Sequence, residues 1–167
     1  MTASRIRVGI GYDVHGFAAV ADGRPLILGG VTVPHDRGLA GHSDADVLIH
    51  ALVDALLGAA ALGDIGAHFP SSDPRWHGAP STAFLTYTVD LLRQHGWSLG
   101  NVDATIVAEQ PRLTPHVPAI RAYLATAMGL DIASVSVKAK TTDGLGFTGR
   151  AEGVACHVVA LIERLPS

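Results

Sequence analysis

The sequence is poor in cysteine, with Cys156 alone among 167 residues. A single thiol cannot form a disulfide within the chain, and it excludes a cysteine-rich zinc site. This usage fits a reducing compartment, so we expect a cytoplasmic protein. The N-terminus lacks the apolar run of a signal peptide. The longest mostly apolar stretch, 47–62, is interrupted by His50, Asp54 and Gly58, and it is too short to predict a membrane span.

Charged residues are also scarce. They make up 16% of the chain, against about 25% in ordinary soluble domains. Twelve Lys and Arg face fifteen Asp and Glu, for a net charge of −3. That balance, without a basic cluster, argues against a nucleic-acid binder. So few charges predict that part of the surface is covered in an oligomer, while the length predicts a single domain over 1–167.

The residue pattern predicts six strands. Alternating β-branched residues predict a strand over Ile6–Tyr12, and Leu26–Leu28 and Val31–Val33 flank a two-residue hairpin turn at Gly29-Gly30. Further strands are predicted over 102–108 and 135–139. The segment 154–162 is interpreted as a final strand, although a helix is nearly as consistent with its residues.

Three helices complete the predicted fold. Apolar residues at helical spacing predict the first over 46–60, with Ser43 as its N-cap. The second runs over 81–95, and the third follows 111–118 and ends near Gly129. A loop rich in Gly, Pro and Ser covers 63–78, and loops of this length are usually functional or disordered. The element order predicts an α+β sandwich, a mixed sheet with helices on one face.

Three residues have the chemistry of a metal site. Asp13 and His15 are two apart in an extended segment, so their side chains share one side. His50 lies in the first predicted helix, one turn from Asp46 and Asp54, either of which could orient its ring. Together, Asp13, His15 and His50 supply three N or O ligands and leave a fourth position open, as in catalytic zinc sites. Each signal alone also fits a turn cap, an exposed histidine or a structural histidine.

A Gly- and Thr-rich segment, 141–150, follows the predicted strand over 135–139. Its glycines allow backbone N–H groups to approach an anion, and Thr hydroxyls and Arg150 can bind phosphate oxygens. Asp143 could hold a hard cation such as Mg²⁺ together with phosphate oxygens. The alternative is a Gly-rich turn between two strands.

These motifs belong to a longer match. The matching segments are 11–17 (GYDVHGF), 42–46 (HSDAD), 50–66, 69–70, 72–74, 100–103 (GNVD), 145–150 (LGFTGR) and 152–153. In order and spacing, the chain resembles the 2-C-methyl-D-erythritol 2,4-cyclodiphosphate synthase family of the non-mevalonate isoprenoid pathway. The resemblance covers nearly the whole chain.

The resemblance implies a reaction and two metals. The substrate would be 4-diphosphocytidyl-2-C-methyl-D-erythritol 2-phosphate, whose 2-phosphate attacks the β-phosphorus, so that CMP leaves and a cyclic diphosphate forms. Asp13, His15 and His50 would bind Zn²⁺. Asp143 would help to hold Mg²⁺ or Mn²⁺ between the substrate phosphates, at a position where Glu is more common. His42 and Thr141 would stabilise the transition state by donating hydrogen bonds.

The resemblance also implies which residues contact the substrate. They are Asp13, Val14, His15, His42, Ser43, Asp64, Ile65, Gly66, Phe69, Pro70, Ser71, Ser72, Asp73, Ala108, Glu109, Gln110, Pro111, Arg112, Leu113, Thr114, Lys140, Thr141, Thr142, Asp143, Phe147 and Arg150. Ser43 would face the 2-phosphate, 64–66 the ribose, and 69–73 would be a flexible loop over the methylerythritol unit. The segment 108–114 would form the cytosine and phosphate pocket, with Arg112 where Lys is familiar. Lys140 stands where Thr also occurs, which leaves its role open.

Assembly is the last implication. The family fold is ferredoxin-like α+β, and it forms a homotrimer with active sites between neighbouring subunits. A cavity on the threefold axis, near Arg150 and Glu152, binds isoprenoid diphosphates in some members. Two alternatives remain: a metal-dependent phosphohydrolase on the same scaffold, and a non-catalytic trimer that binds isoprenoid diphosphates. The metal-binding residues argue against the second, because an axial binder has no need of them.

Overall fold

The structure, a computed structural model, describes residues 5–165. Three strands come first along the chain, three helices follow, and strands and helices then alternate, with short 3₁₀ turns at 20–22, 74–76, 114–116 and 132–134. In chain order, the elements are β1 (Ile6–Gly16), β2 (Leu26–Leu28), β3 (Val31–Val33), α1 (Val47–Ala60), α2 (Ile65–His68), α3 (Ser81–Gln94), β4 (Trp97–Val107), α4 (Val117–Met128), β5 (Val135–Lys140), α5 (Gly146–Gly149) and β6 (Gly153–Arg164).

Four strands form the central sheet in the order β1-β6-β4-β5. Strand β6 is antiparallel to both β1 and β4, whereas β4 and β5 are parallel and are connected through α4. The hairpin β2–β3 forms a separate two-stranded sheet. The predicted mixed α+β fold is therefore confirmed, and the last segment is a strand, as predicted, rather than a helix.

Helix α1 packs directly on β1 because two glycines face it. A Cβ atom at Gly9 would collide with the Ala55 carbonyl, and one at Gly11 would collide with the Ala51 carbonyl. The side chains that alternate with these glycines therefore point to the opposite face of the sheet, where Ile10 is 71% exposed. The larger apolar residues of β1 thus lie outside the core of this chain.

The N-cap of α1 is Asp46, which corrects the prediction of Ser43. The Asp46 carboxylate accepts a hydrogen bond from the N–H of Ile49 in the first turn, and it also accepts from Gly29 and Gly30 of the hairpin. Burial raises the pKa of Asp46 to about 6, against the effect of these N–H donors. The carboxylate thus joins the β2–β3 turn to the start of α1, a long-range contact that local pattern cannot reveal.

The predicted loop 63–78 is partly helical. It contains α2 and the 3₁₀ turn at 74–76, and Phe69 between them is buried against the rings of Phe84, Trp76 and Tyr87. Aromatic packing therefore fixes the middle of a segment whose composition is typical of a loop. Within residues 5–165, the helices are all too short or too polar for a membrane-spanning segment.

Candidate metal centre and substrate cavities

Asp13, His15 and His50 meet at the end of the sheet where β1 packs against α1. The Asp13 Oδ2 atom lies 3.0 Å from His15 Nε2 and 3.1 Å from His50 Nδ1, and the two ring nitrogens are 3.1 Å apart. These atoms form a nearly equilateral triangle of potential ligands. The sequence spacing predicted the Asp13–His15 pair, and the packing of α1 brings His50 to it.

The His15 ring is held by the backbone. Its Nδ1 lies 2.6 Å from the carbonyl oxygen of Ala40, which can only accept, so Nδ1 carries a proton and, when the ring is neutral, Nε2 keeps its lone pair. Gly41 leaves room for the ring, since a Cβ there would lie 3.0 Å from His15 Cε1. Arg24 in turn bonds the carbonyls of Gly41 and Ser43. The loop before α1 is therefore fixed around this ligand.

The His50 ring is oriented by two serines, which corrects the prediction of Asp46 or Asp54. His50 Nε2 lies 2.9 Å from Ser81 Oγ and 3.1 Å from Ser43 Oγ. Asp46 serves the helix cap and the hairpin, while Asp54 accepts from the N–H of Ile65. Helical spacing correctly placed these carboxylates one turn away, but both are engaged by backbone donors instead.

The pKa values of Asp13 and His15 show that the triangle favours binding of a cation. Burial alone would raise the pKa of Asp13, but hydrogen bonds from His15 and His50 hold the pKa of this carboxyl well below its usual range. Burial would lower the pKa of His15, yet the hydrogen bonds with Asp13 and the Ala40 carbonyl raise it above its usual value. The site therefore attracts a proton to His15 in the absence of any other cation.

The donor set fits a zinc ion. Two imidazole nitrogens and one carboxylate oxygen are ordinary zinc ligands, and tetrahedral bonds of about 2.0–2.1 Å place ligand atoms about 3.3 Å apart. The observed separations of 3.0–3.1 Å are close to that spacing. Three protein ligands leave a fourth position on the side of the cavity. The residues can thus hold a metal ion, as predicted.

A cavity of about 210 Å³ opens beside the triangle. Its lining combines three of the predicted substrate segments with an aromatic wall. The lining residues are His15, His42, Ser43, His50, Ile65, Gly66, Phe69, Ser71, Trp76 and Phe84. The structure therefore brings the predicted 42–43, 64–66 and 69–73 segments to the metal ligands, so that a phosphorylated substrate could reach all of them.

Local contacts fix the predicted ribose segment and the start of the predicted flexible loop. The Asp64 carboxylate accepts from the N–H of Ala67 and caps α2, and Asp54 bonds the N–H of Ile65. Phe69 is buried in the aromatic cluster, whereas Pro70, Ser71 and Ser72 are exposed and Asp73 pairs with Arg75. Only the exposed part of the predicted loop, 70–72, is therefore available to close over a ligand.

Val14 differs from its neighbours Asp13 and His15. Side chains alternate along β1, so Val14 points to the opposite, exposed face of the sheet. Its backbone N–H donates to the Asp13 carboxylate. A contact of Val14 with a ligand in the cavity would therefore involve its backbone rather than its side chain.

Eight of the remaining predicted residues line a second, smaller cavity, while Gln110, Thr142, Asp143, Phe147 and Arg150 lie outside its lining. It has a volume of about 140 Å³ and lies beside β5. Its lining residues are Ala108, Glu109, Pro111, Arg112, Leu113, Thr114, Ala139, Lys140 and Thr141. The predicted cytosine segment and the start of the predicted phosphate loop are thus neighbours in space, and Arg112 and Lys140 give this cavity positive charge.

The predicted phosphate loop, 141–150, is a tight turn. The Thr141 hydroxyl donates to Asp143, and Thr142 donates to the Leu145 carbonyl and contacts Thr148. Asp143 has a positive φ of 51°, and Gly149 packs so closely on Gly144 that a Cβ would collide with the backbone. Phe147 lies in α5, and Arg150 after it forms an ion pair with Glu152. The glycines therefore fold the loop on itself.

The two cavities share no lining residue. The metal ligands and His42 belong to the β1 edge of the sheet, and Thr141 and Asp143 belong to the β5 edge. The structure therefore does not bring His42 and Thr141 together within one chain, although both were predicted to act on the same phosphorus.

Sequence reasoning missed Ser81, Asp44 and Trp76 as site residues. Ser81 is the first residue of α3, and Asp44 lies in the loop before α1. Neither position indicates a link to His50 in the sequence, and only the contacts in the folded chain reveal it. Cys156 is not a candidate nucleophile, because burial raises the pKa of its thiol. A serine at a helix start ordinarily indicates a cap, and this signal hid the role of Ser81.

Comparison with known proteins places this chain in a family. The YgbB family model matches residues 6–163. A 2-C-methyl-D-erythritol 2,4-cyclodiphosphate synthase from Thioalkalivibrio sulfidiphilus is 57% identical over 160 residues, which cover 96% of this chain and 98% of that protein.

Solved structures of related proteins have the same fold as this chain. The bifunctional IspDF from Campylobacter jejuni matches with a TM-score of 0.91 and 41% identity, over 96% of this chain and 42% of that one. A CDP complex of IspF from Plasmodium falciparum matches with a TM-score of 0.85 and 31% identity, over 99% and 100% of the two chains. The chain therefore belongs to the YgbB family, together with the 2-C-methyl-D-erythritol 2,4-cyclodiphosphate synthases.

Proposed function

We propose that this chain is a 2-C-methyl-D-erythritol 2,4-cyclodiphosphate synthase, a phosphorus–oxygen lyase of isoprenoid biosynthesis. It converts 4-diphosphocytidyl-2-C-methyl-D-erythritol 2-phosphate to the cyclic diphosphate and releases CMP. The observation that carries the proposal is the Asp13–His15–His50 triangle beside a cavity, in a chain 57% identical to a synthase of that name.

The reaction joins two anionic groups, so its barrier is electrostatic and orientational. Zn²⁺ on Asp13, His15 and His50, and Mg²⁺ or Mn²⁺ beside Asp143, would neutralise phosphate oxygens and align the reacting groups. The open side of the triangle faces the cavity, which supports binding of a phosphate there. The short Asp143 side chain already accepts from Thr141, so it would reach its ion through a water molecule.

His42 and Thr141 act on the transition state. Both can donate a hydrogen bond to oxygens whose negative charge increases as the phosphorus becomes pentavalent. His42 lies at the metal cavity, and the Thr141 hydroxyl lies at the second cavity beside Lys140. In the substrate-free chain the Thr141 hydroxyl donates to Asp143, so its single proton turns from that carboxylate to the phosphate when the substrate binds. A donor that strengthens as the charge builds favours the transition state over the substrate.

Other residues bind the substrate at a distance from the phosphorus. Ser43 faces the 2-phosphate, and Asp64 accepts hydrogen bonds from the ribose hydroxyls. The second cavity, with Arg112 at its mouth, binds the cytosine and its phosphate. The CDP named in the Plasmodium falciparum complex supports a cytidine nucleotide as ligand. Both cavities are small, which suits separate parts of one extended nucleotide.

The assembly is a homotrimer of ferredoxin-like α+β sandwiches, with each active site built from two chains. Val8, Ile10, Tyr12 and Val159 form an exposed apolar stripe on the sheet face opposite α1. An apolar surface of this kind is a signature of subunit contact. The separation of the two cavities also supports this assembly, because a neighbour can supply the second cavity to the first.

A single product assay tests the function. The purified chain is incubated with the diphosphocytidyl substrate and Mg²⁺, and CMP, cyclic diphosphate and inorganic phosphate are measured. Equal amounts of CMP and cyclic diphosphate are expected. Release of inorganic phosphate would instead identify a phosphohydrolase, and an unchanged substrate would favour a non-catalytic binder. His50→Ala is the inactive control, since it removes one metal ligand.

A further inference from the structure

Behind the metal triangle, a buried carboxylate–serine pair contacts the outer nitrogen of His50. Ser81 is fully buried at the first turn of α3, and its Oγ lies 2.9 Å from His50 Nε2. Asp44 holds Ser81 by two atoms: one carboxylate oxygen accepts from the backbone N–H at 3.0 Å, and the other accepts from the hydroxyl. Three parts of the chain thus converge on one ring.

The numbers of donors and acceptors in Asp44, Ser81 and His50 fix the direction of each hydrogen bond. An ionised carboxylate only accepts, so the single hydroxyl proton of Ser81 goes to Asp44. Toward His50, Ser81 Oγ can then act only as an acceptor. In the neutral ring the proton must therefore be on Nε2, which leaves the lone pair of Nδ1 directed at Asp13 and His15. A hydrogen bond from Nδ1 to Asp13 requires a second proton on the ring, and a bound metal ion would take the place of that proton.

Ser43 does not fix the position of the proton on the His50 ring. Its Oγ accepts from the N–H of Ala45, and its proton is not committed to a carboxylate. At 3.1 Å from His50 Nε2, this hydroxyl could donate as well as accept, so it does not select a tautomer. Of the two serines, only Ser81 has a fixed polarity.

We infer that Ser81 and Asp44 are positioning residues that hold His50 in the tautomer and orientation required for metal binding. The inference rests on the metal site of the proposed function. Metal-bound histidines generally donate their other N–H to a fixed acceptor, and loss of such a partner typically lowers metal affinity about 10–100-fold. His15 already has this partner in the Ala40 carbonyl. Ser81 Oγ is the corresponding acceptor for the N–H of His50, and Asp44 makes it an acceptor by taking the hydroxyl proton of Ser81.

The test measures zinc dissociation constants by competition with a chromophoric chelator, without substrate. Ser81→Ala should raise the constant about 10–100-fold. Asp44→Asn should raise it less, and adding Asp44→Asn to Ser81→Ala should cause little further loss, because Asp44 acts through Ser81. Thr88→Ala is the matched control: it removes a buried hydroxyl two turns along α3, bonded only to the Phe84 carbonyl among the described contacts.

A direct readout accompanies the affinities. In zinc-loaded wild-type protein, the proton on His50 Nε2 should exchange slowly with water in NMR spectra, and Ser81→Ala should accelerate this exchange. Should Ser81→Ala not fold, as judged by circular dichroism, Asp44→Asn decides, since it keeps the shape of the side chain.

The outcomes are distinct. A wild-type chain that binds no zinc would overturn the metal site and this inference with it. A wild-type chain that binds zinc, with an equal constant in Ser81→Ala or in its substitute Asp44→Asn, would overturn the positioning role alone. A larger loss in Ser43→Ala than in Ser81→Ala, or an equal loss in Thr88→Ala, would overturn it too.

Discussion

Asp13 and Ala139 lie at the same level of the central sheet, on its two edge strands. Asp13 is paired with Cys156 of β6, Cys156 with Ile106 of β4, and Ile106 with Ala139 of β5. Three strand spacings of about 4.8 Å put these two positions roughly 14 Å apart. Strands β1 and β5 run in the same direction, so Thr141 follows Ala139 toward the sheet end that carries the metal ligands. The metal ligands and Thr141 therefore lie at the same end of the sheet but on its two opposite edge strands.

This separation predicts complementation between two inactive variants. His15→Ala damages the metal side and Arg112→Ala damages the nucleotide side, so each alone should have almost no activity. In trimers refolded from an equal mixture, about a quarter of the sites combine two intact halves, because each site draws its halves from neighbouring chains. Activity should recover to that fraction, measured by CMP release.

The control is a mixture of His15→Ala with Asp13→Ala. Both substitutions damage the same half, so no site in the mixture is intact and no recovery is expected. If His15→Ala and Arg112→Ala also failed to recover activity as verified trimers, both halves would have to come from one chain.

Ile10→Lys should dissociate the assembly. Ile10 is 71% exposed in the isolated chain and lies in the middle of the apolar stripe. A lysine there costs little in the monomer but buries a charge in an interface. Light scattering coupled to size-exclusion chromatography should give a monomer. Ile132→Lys, at an isoleucine 47% exposed away from the sheet, should remain a trimer. Equal masses for the two variants would refute the proposed interface.

Zinc should stabilise the protein more as pH rises from 6 to 8. The raised pKa of His15 means that its protonated form stabilises the metal-free fold below about 6.5, the ordinary value, and that this contribution is lost as pH rises through the folded-state pKa. Zinc requires the neutral ring, so protons compete with it at low pH. The difference in Tm between zinc-loaded and EDTA-treated protein should therefore increase with pH. A constant difference would show that His15 does not bind the ion.

Thr141→Val should lower kcat more than it raises KM. The valine keeps the shape and removes a donor that strengthens in the transition state, and such a loss typically costs about 10²–10³ in kcat, or roughly 3–4 kcal/mol. Asp64→Asn should do the opposite, because a ribose contact is alike in substrate and transition state. Steady-state kinetics separates the two. A change in KM alone for Thr141→Val would make Thr141 a substrate-binding residue.

Local patterns in the sequence sufficed for most elements. The Gly29-Gly30 turn, the apolar spacing of α1 and the β-branched run of β6 each depend on neighbours in the chain, and each prediction was confirmed. The Ser43 cap was wrong because Asp46 is equally well placed locally, and its contacts with Gly29 and Gly30 decide between them. Competing short-range signals of equal strength are resolved only by tertiary contacts.

For the site, residue spacing predicted the candidate metal ligands. A spacing of two in a strand puts Asp13 and His15 on one side, the first predicted helix offered His50 as a third ligand, and the resemblance to the synthases added the residues around them. Long-range packing puts Ser81 and Asp44, rather than Asp46 or Asp54, behind His50. The strand order puts His42 and Thr141 at opposite edges of the sheet. The physical reason is that strand order and helix packing join residues far apart in the chain, so no spacing along the sequence encodes them.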